Sequence, residues 1–183
     1  MKRLLVIIAF ALFTVAAMAQ NQRAGERYEI TEVTVNDEVY SLFTYTDDDG
    51  TFGYYLSLGH VDGRFSIGSI LGTFTFGSYD ETCLCLGASR DEAFASLDTI
   101  LALYDREVGT SLELPARMCT GVHQLGQDVD ITCEVHKKFF GGKRLWFYFP
   151  SGDDKVGVVY LNKGSVKQLR WGLNVDKKLH PGK

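Results

Sequence analysis

The chain has 183 residues, 45% hydrophobic, 13% aromatic and 23% charged with 3 Pro, a composition that excludes a disordered chain, a collagen-like repeat and a coiled coil. Its 19 Gly, 12 Phe and 9 Tyr favour strands and tight turns over a helical bundle. The net charge of −4 hides an asymmetry: residues 20–133 hold 6 Lys+Arg against 19 Asp+Glu (−13), whereas residues 134–183 hold 11 against 4 (+7).

The start of the chain reads as an address. Lys2 and Arg3 precede an apolar run from Leu4 to Val15, and Ala17-Met18-Ala19 presents small residues where a signal peptidase reads them. Residues 1–19 are therefore expected to be an export signal, leaving Gln20 first. The apolar stretch Leu4 to Met18 is 15 residues long, short of the ~20 that a bilayer-spanning helix needs. With no later stretch suited to spanning, the expected product is soluble and exported: periplasmic, cell-surface or extracellular. Residues 20–183 read as a single α+β domain with 20–27 and 176–183 frayed.

From Tyr28 onward the pattern is one of strands, with a tight connection through Asn36 and Asp37 and a hairpin tip at Asp47-Asp48-Asp49-Gly50. The returning strand puts Phe52, Tyr54, Leu56 and Leu58 on one face. The acidic tip does not fit a calcium loop, because Tyr45 and Leu56 stand where oxygen ligands would be required. Gly68, Gly72 and Gly77 predict bends in the strands between Arg64 and Phe76, and Thr82 to Leu86 forms a short strand. Ser89 and Glu92 make a capping box that starts a helix at Arg90. Its apolar stripe is Phe94, Leu97, Leu101, Tyr104 and Val108, widened by Ala93 and Ile100 and closed by Gly109.

After the helix, Ser111 to Cys119 reads as extended despite Pro115, and Gly121 to Asp128 as a loop. Strands are expected at Val129 to Phe140, Lys143 to Phe149, Lys155 to Asn162 and Ser165 to Val175, a four-strand meander punctuated by glycines. The fold class is α+β, mainly antiparallel β in two strand groups with one central amphipathic helix; the alternative is a helix-capped β-barrel.

Four cysteines, Cys83, Cys85, Cys119 and Cys133, in an exported chain predict disulfides. Cys83 and Cys85 lie two apart in a strand, with Cβ atoms ~7 Å from each other, so the two favoured pairings each join this segment to Cys119 and Cys133. The spacings Cys119/His123 and Cys133/His136 superficially match a zinc site. Alternation from Val129 to Val135 turns Cys133 inward and places His136 on the opposite face, which argues against it. No metal or cofactor is expected.

For chemistry, His60 with Asp62, and His123 in its glycine-rich loop, are the catalytic candidates. They lack the context of a Gly-x-Ser-x-Gly elbow or a His-Glu-x-x-His helix. Gly141-Gly142-Lys143 is a turn rather than a phosphate loop, since Lys137 occupies the first glycine position and Arg144 follows the lysine. Arg144, Trp146 and Tyr148 share the face opposite Leu145, Phe147 and Phe149. Together with Lys143 they form the candidate ligand-binding surface, suited to an anionic glycan or lipid headgroup. Trp171 is placed either with this surface or in the core. The expected function is an exported binding or interaction module; the alternatives are a small secreted hydrolase and an envelope component that associates with itself or a protein partner. An acidic exported chain without a reading motif gives no reason to expect nucleic acid.

Overall fold

A computed structural model describes residues 25–35, 38–58, 60–69, 72–120, 124–151 and 155–180. Among them the strands are β1 (Arg27–Val35), β2 (Glu38–Thr46), β3 (Phe52–Ser57), β4 (His60–Ser69), β5 (Gly72–Gly87), β6 (Ser111–Thr120), β7 (Gln124–Lys137), β8 (Lys143–Ser151) and β9 (Lys155–Leu161). The helices are α1 (Arg90–Leu103) and α2 (Lys163–Leu179). The sheet runs β1-β2-β3-β5-β6-β7-β8-β9 with β4 paired to β5 off this path, and every pairing is antiparallel.

Period-2 alternation gives this sheet an apolar face, and the sheet curls so that the face becomes concave. Leu42, Leu56, Leu84, Ile131, Cys133, Leu145, Phe147 and Leu161 line it and are fully buried. Both helices pack into the hollow through Leu97, Ile100, Val166, Leu169 and Leu173. Each such side chain taken out of water contributes on the order of 1.5–3 kcal/mol. The curl brings distant strands together: the Tyr40 hydroxyl on β2 donates to the Tyr160 carbonyl on β9 at 3.4 Å. The buried Tyr104 hydroxyl donates to the Leu161 carbonyl at 2.8 Å. The result is an open half-barrel around two helices, not a closed barrel. α2 lies so tightly on β1 that a Cβ at Gly172 would sit 2.3 Å from the Thr31 methyl, which explains why glycine occupies this helical position.

The antiparallel α+β expectation holds in this broad form, and its details need correction. Among the described residues there are two helices rather than one. The segment Ser165 to Val175 is helical, and the supposed frayed end from residue 176 continues α2 to Leu179 with Asp176 buried. α1 begins at Arg90 as its cap predicts: the Ser89 side chain accepts from the Glu92 backbone N–H at 3.3 Å, and Glu92 accepts from the Ala88 N–H at 2.7 Å. It ends at Leu103, short of Val108, which is exposed. The segment up to Asp128 is not all loop, since β7 begins at Gln124. The Asn36-Asp37 connection lies outside the described residues.

The disulfide expectation is also corrected. None of Cys83, Cys85 and Cys133 is joined in a disulfide. Cys133 faces the concave core, whereas Cys83 and Cys85 pack on the other side of the sheet with Phe43, Tyr45 and Tyr55. A bond from Cys133 to either would have to pass through the sheet. Cys119 lies opposite Glu81 in the β5–β6 register, and its side chain is outside the described part.

Candidate functional site

Thr132, Glu134 and His136 of β7, Arg144, Trp146 and Tyr148 of β8 and Tyr160 of β9 share the outward face, and antiparallel register sets them side by side. Glu134 is opposite Trp146, which is opposite Tyr160; His136 is opposite Arg144 and Thr132 opposite Tyr148. The His136 ring stacks on Trp146 with centroids 4.1 Å apart and planes 12° from parallel. Its Nε2 lies 3.0 Å from the Tyr148 hydroxyl and 3.1 Å from Glu134 Oε1. With a proton on Nε2 the ring donates to Glu134; without it the same nitrogen accepts from Tyr148. Burial, and then the Glu134 charge, raise the Tyr148 pKa above the ordinary tyrosine value. The Arg144 guanidinium lies over both Trp146 (4.9 Å) and Tyr160 (5.1 Å). Arg144 Nε and Trp146 Nε1 are buried donors with no hydrogen-bond partner.

This cluster leads to the β7–β8 turn. Gly141 N–H donates to the Lys138 carbonyl at 3.2 Å and Lys138 N–H to the Gly142 carbonyl at 3.0 Å. Gly141 and Gly142 supply the positive φ angles, 89° and 79°, that let the chain reverse here. The turn holds Phe139 and Phe140 at its outermost point, 93% and 96% exposed, edge to face at 4.9 Å. Lys137 and Lys138 stand on one arm and Lys143 and Arg144 on the other. None of these four cations forms an ion pair with a described carboxylate.

The surface read from the sequence is thus brought together in part. Arg144, Trp146 and Tyr148 share one face, but Lys143 belongs to the other and donates from Nζ to the Arg106 carbonyl. Trp146 is not an open stacking platform, because His136 covers one of its faces. Trp171 joins neither this cluster nor the core; it is exposed on α2. Sequence reasoning missed His136, Glu134 and Tyr160, which meet Trp146 only through strand pairing. It also missed the Phe139-Phe140 tip by running the strand through to Phe140, although two positive-φ-capable glycines after two lysines and two phenylalanines marked the turn.

The catalytic candidates are not assembled into a described site. His60 and Asp62 lie on β4 opposite Asp80 and Ser78. Their side chains, and His123 altogether, are outside the described residues. The tail histidine is ordered: His180 Nδ1 is 3.0 Å from Asp176 Oδ1. That carboxylate already binds buried Arg90 at 2.9 Å, and no described hydroxyl or thiol hydrogen-bonds to His180. Among the described residues no group of three or more His, Cys, Asp or Glu could hold a metal ion. Of the four residues in the superficial zinc pattern, Cys133 and His136 lie on opposite faces of β7. No helix among the described residues is long and apolar enough to cross a membrane.

The charge asymmetry of the sequence has a structural resolution. Arg170 and Lys177 of α2 face Asp98 and Asp91 of α1 at 2.6 and 3.7 Å, and Lys163 faces Asp105, in the turn just past α1, at 2.8 Å. Much of the basic character of α2 is therefore answered by the acidic side of α1, and the β7–β8 hairpin retains its cations. No family model, curated protein or solved structure matches the chain.

Proposed function

We propose that the chain is an exported binding module that takes an anionic ligand at the β7–β8 hairpin. Export rests on the basic start, apolar run and Ala17-Met18-Ala19 of residues 1–19, which lie outside the described residues. The observation that carries the anionic ligand is the distribution of charge after the helices have paired. Lys137, Lys138, Lys143 and Arg144 lie within eight residues of sequence, beside a tryptophan and a tyrosine, and none of them pairs with a carboxylate among the described residues. Glu134 sits within the cluster, where His136 engages it.

The test is calorimetric titration of the mature chain with dextran sulfate and with uncharged dextran. Binding is expected for the charged polymer only, weakening as salt rises past ~0.15 M, where screening acts within ~8 Å. Arg144→Ser with Lys138→Ser should weaken it several-fold. Lys167→Ser with Lys178→Ser, exposed on α2, should not. Equal losses from the two pairs would reduce the hairpin to ordinary solvated surface.

A further inference from the structure

We infer that the hairpin tip inserts into the headgroup region of an anionic lipid bilayer, with Phe139 and Phe140 as its apolar wedge. This rests on the hairpin being the anion-binding end of the molecule and names the kind of surface it meets.

Two adjacent phenylalanines exposed at 93% and 96% are unusual for side chains that gain so much by leaving water. Their position decides what could cover them. They stand at the extremity of a convex turn, fixed by its two backbone hydrogen bonds, and the four cations are set behind them on both arms. A flat apolar interface patch would place its hydrophobic residues at the centre of a broad surface with charge around the rim. Here the order follows the hairpin: the Phe139 and Phe140 rings at the tip, the four cations on the arms beside them, and Trp146, Tyr148 and Tyr160 along the outer face.

That order matches the layers of a bilayer boundary. Apolar side chains enter ~5–10 Å toward the acyl chains, and basic side chains meet the lipid phosphates. Amphipathic Trp and Tyr favour the headgroup level. The strand rise of ~3.3 Å per residue puts Trp146 ~10 Å along β8 from Lys143. Trp146 thus lies farther from the tip along the strand than Lys143, with the Arg144 guanidinium 4.9 Å from its ring. The flexible lysine stems can snorkel as the rings enter. Each buried ring favours the bound state by ~10- to 100-fold, and each cation near an anionic surface by ~5-fold.

The experiment is co-sedimentation of the mature chain with vesicles of phosphatidylcholine alone or containing phosphatidylglycerol, alongside the dextran sulfate titration and sedimentation velocity without lipid. The wild type should bind the phosphatidylglycerol vesicles. Phe139→Ser with Phe140→Ser should weaken that binding at least ~10-fold while leaving dextran sulfate binding intact, whereas Lys137→Ser with Lys138→Ser should weaken both. As a second readout, Phe140→Trp at the exposed tip, in a Trp146→Phe and Trp171→Phe background, should be quenched by brominated acyl chains. The inference is overturned if the double-serine variant binds vesicles like the wild type, or if the tip tryptophan is not quenched. Binding of dextran sulfate without binding to vesicles overturns it and leaves the proposed function standing; failure to bind either defeats both. A wild-type dimer that the double-serine variant dissolves would make a second copy of the chain the occupant.

Discussion

Arg170 holds both carboxylate oxygens of Asp98 from the facing helix, at 2.6 and 3.0 Å, and lays its guanidinium 5.2 Å from the Phe94 ring centroid. It is the middle of three pairs whose aspartates, Asp91, Asp98 and Asp105, are seven residues apart, as are their partners Lys177, Arg170 and Lys163. Two turns of helix separate Asp91 from Asp98, and Asp105 follows in the turn just past α1, so the antiparallel register of α1 and α2 is written in charge. This explains how a chain with opposite charge in its two parts folds them against each other.

The Asp98–Arg170 pair is largely exposed, so its coupling in a double-mutant cycle with Asp98→Ala and Arg170→Ala should be small, ~0.2–1 kcal/mol. Its pH dependence has a definite sign. The hydrogen bond from Arg170 lowers the Asp98 pKa below 3.8. The stabilisation should therefore be complete above the unfolded value and disappear as pH falls through the lower folded one. The difference between wild type and Asp98→Asn in a denaturant titration should shrink over that acidic window; a difference that grows there would contradict the geometry.

Leu97 is fully buried between α1 and the sheet, and Leu101 only partly. Leu97→Ala should cost ~2–5 kcal/mol and Leu101→Ala distinctly less, read as the shift of the urea midpoint at unchanged slope. The reverse order would mean that α1 is rotated about its axis.

Arg90 and Asp176 tie the start of α1 to the end of α2 at 2.9 Å, with both side chains less than a tenth exposed. Asp176→Ala leaves the Arg90 charge buried without a carboxylate, with the His180 carbonyl 3.2 Å away and the Tyr54 side chain as its neutral partners. The expected loss is ~3–5 kcal/mol, well beyond that of Asp98→Ala. Equal losses in chemical denaturation would show that the end of α2 is not docked.

Burial pushes the Cys133 thiol up to about 12, and burial likewise takes Cys85 to about 11. Both should stay protonated at neutral pH and react slowly with thiol reagents until the protein unfolds. Non-reducing peptide mapping should recover Cys133 as a thiol. A peptide joining it to Cys83 or Cys85 would contradict the sheet faces described here.

The features legible in the sequence are those set by near neighbours along the chain. Ser89 and Glu92 marked the start of α1 because capping is local, and the alternation of Ile131, Cys133 and Val135 gave the correct inward face. α2 was hidden because Gly164 and Gly172 resemble turn and strand punctuation; Gly172 is there for contact with Thr31, a residue more than a hundred positions away. The stripe Val166, Leu169 and Leu173, with Asp176, was nevertheless helical in spacing. The same limit applies to the site. Arg144, Trp146 and Tyr148 follow from a period of two, but His136 stacks on Trp146 only because β7 and β8 pair in one particular register.

The most direct test of the hairpin as the ligand-binding end uses the only other tryptophan of the chain as a silent position. In a Trp171→Phe background all tryptophan fluorescence comes from Trp146, beside Arg144 and under His136. Titration with dextran sulfate should change that emission saturably, and Arg144→Ser with Lys138→Ser should move the midpoint several-fold higher. Binding seen by calorimetry with no change in Trp146 emission, or with the same midpoint in the variant, would place the anion elsewhere and contradict the account.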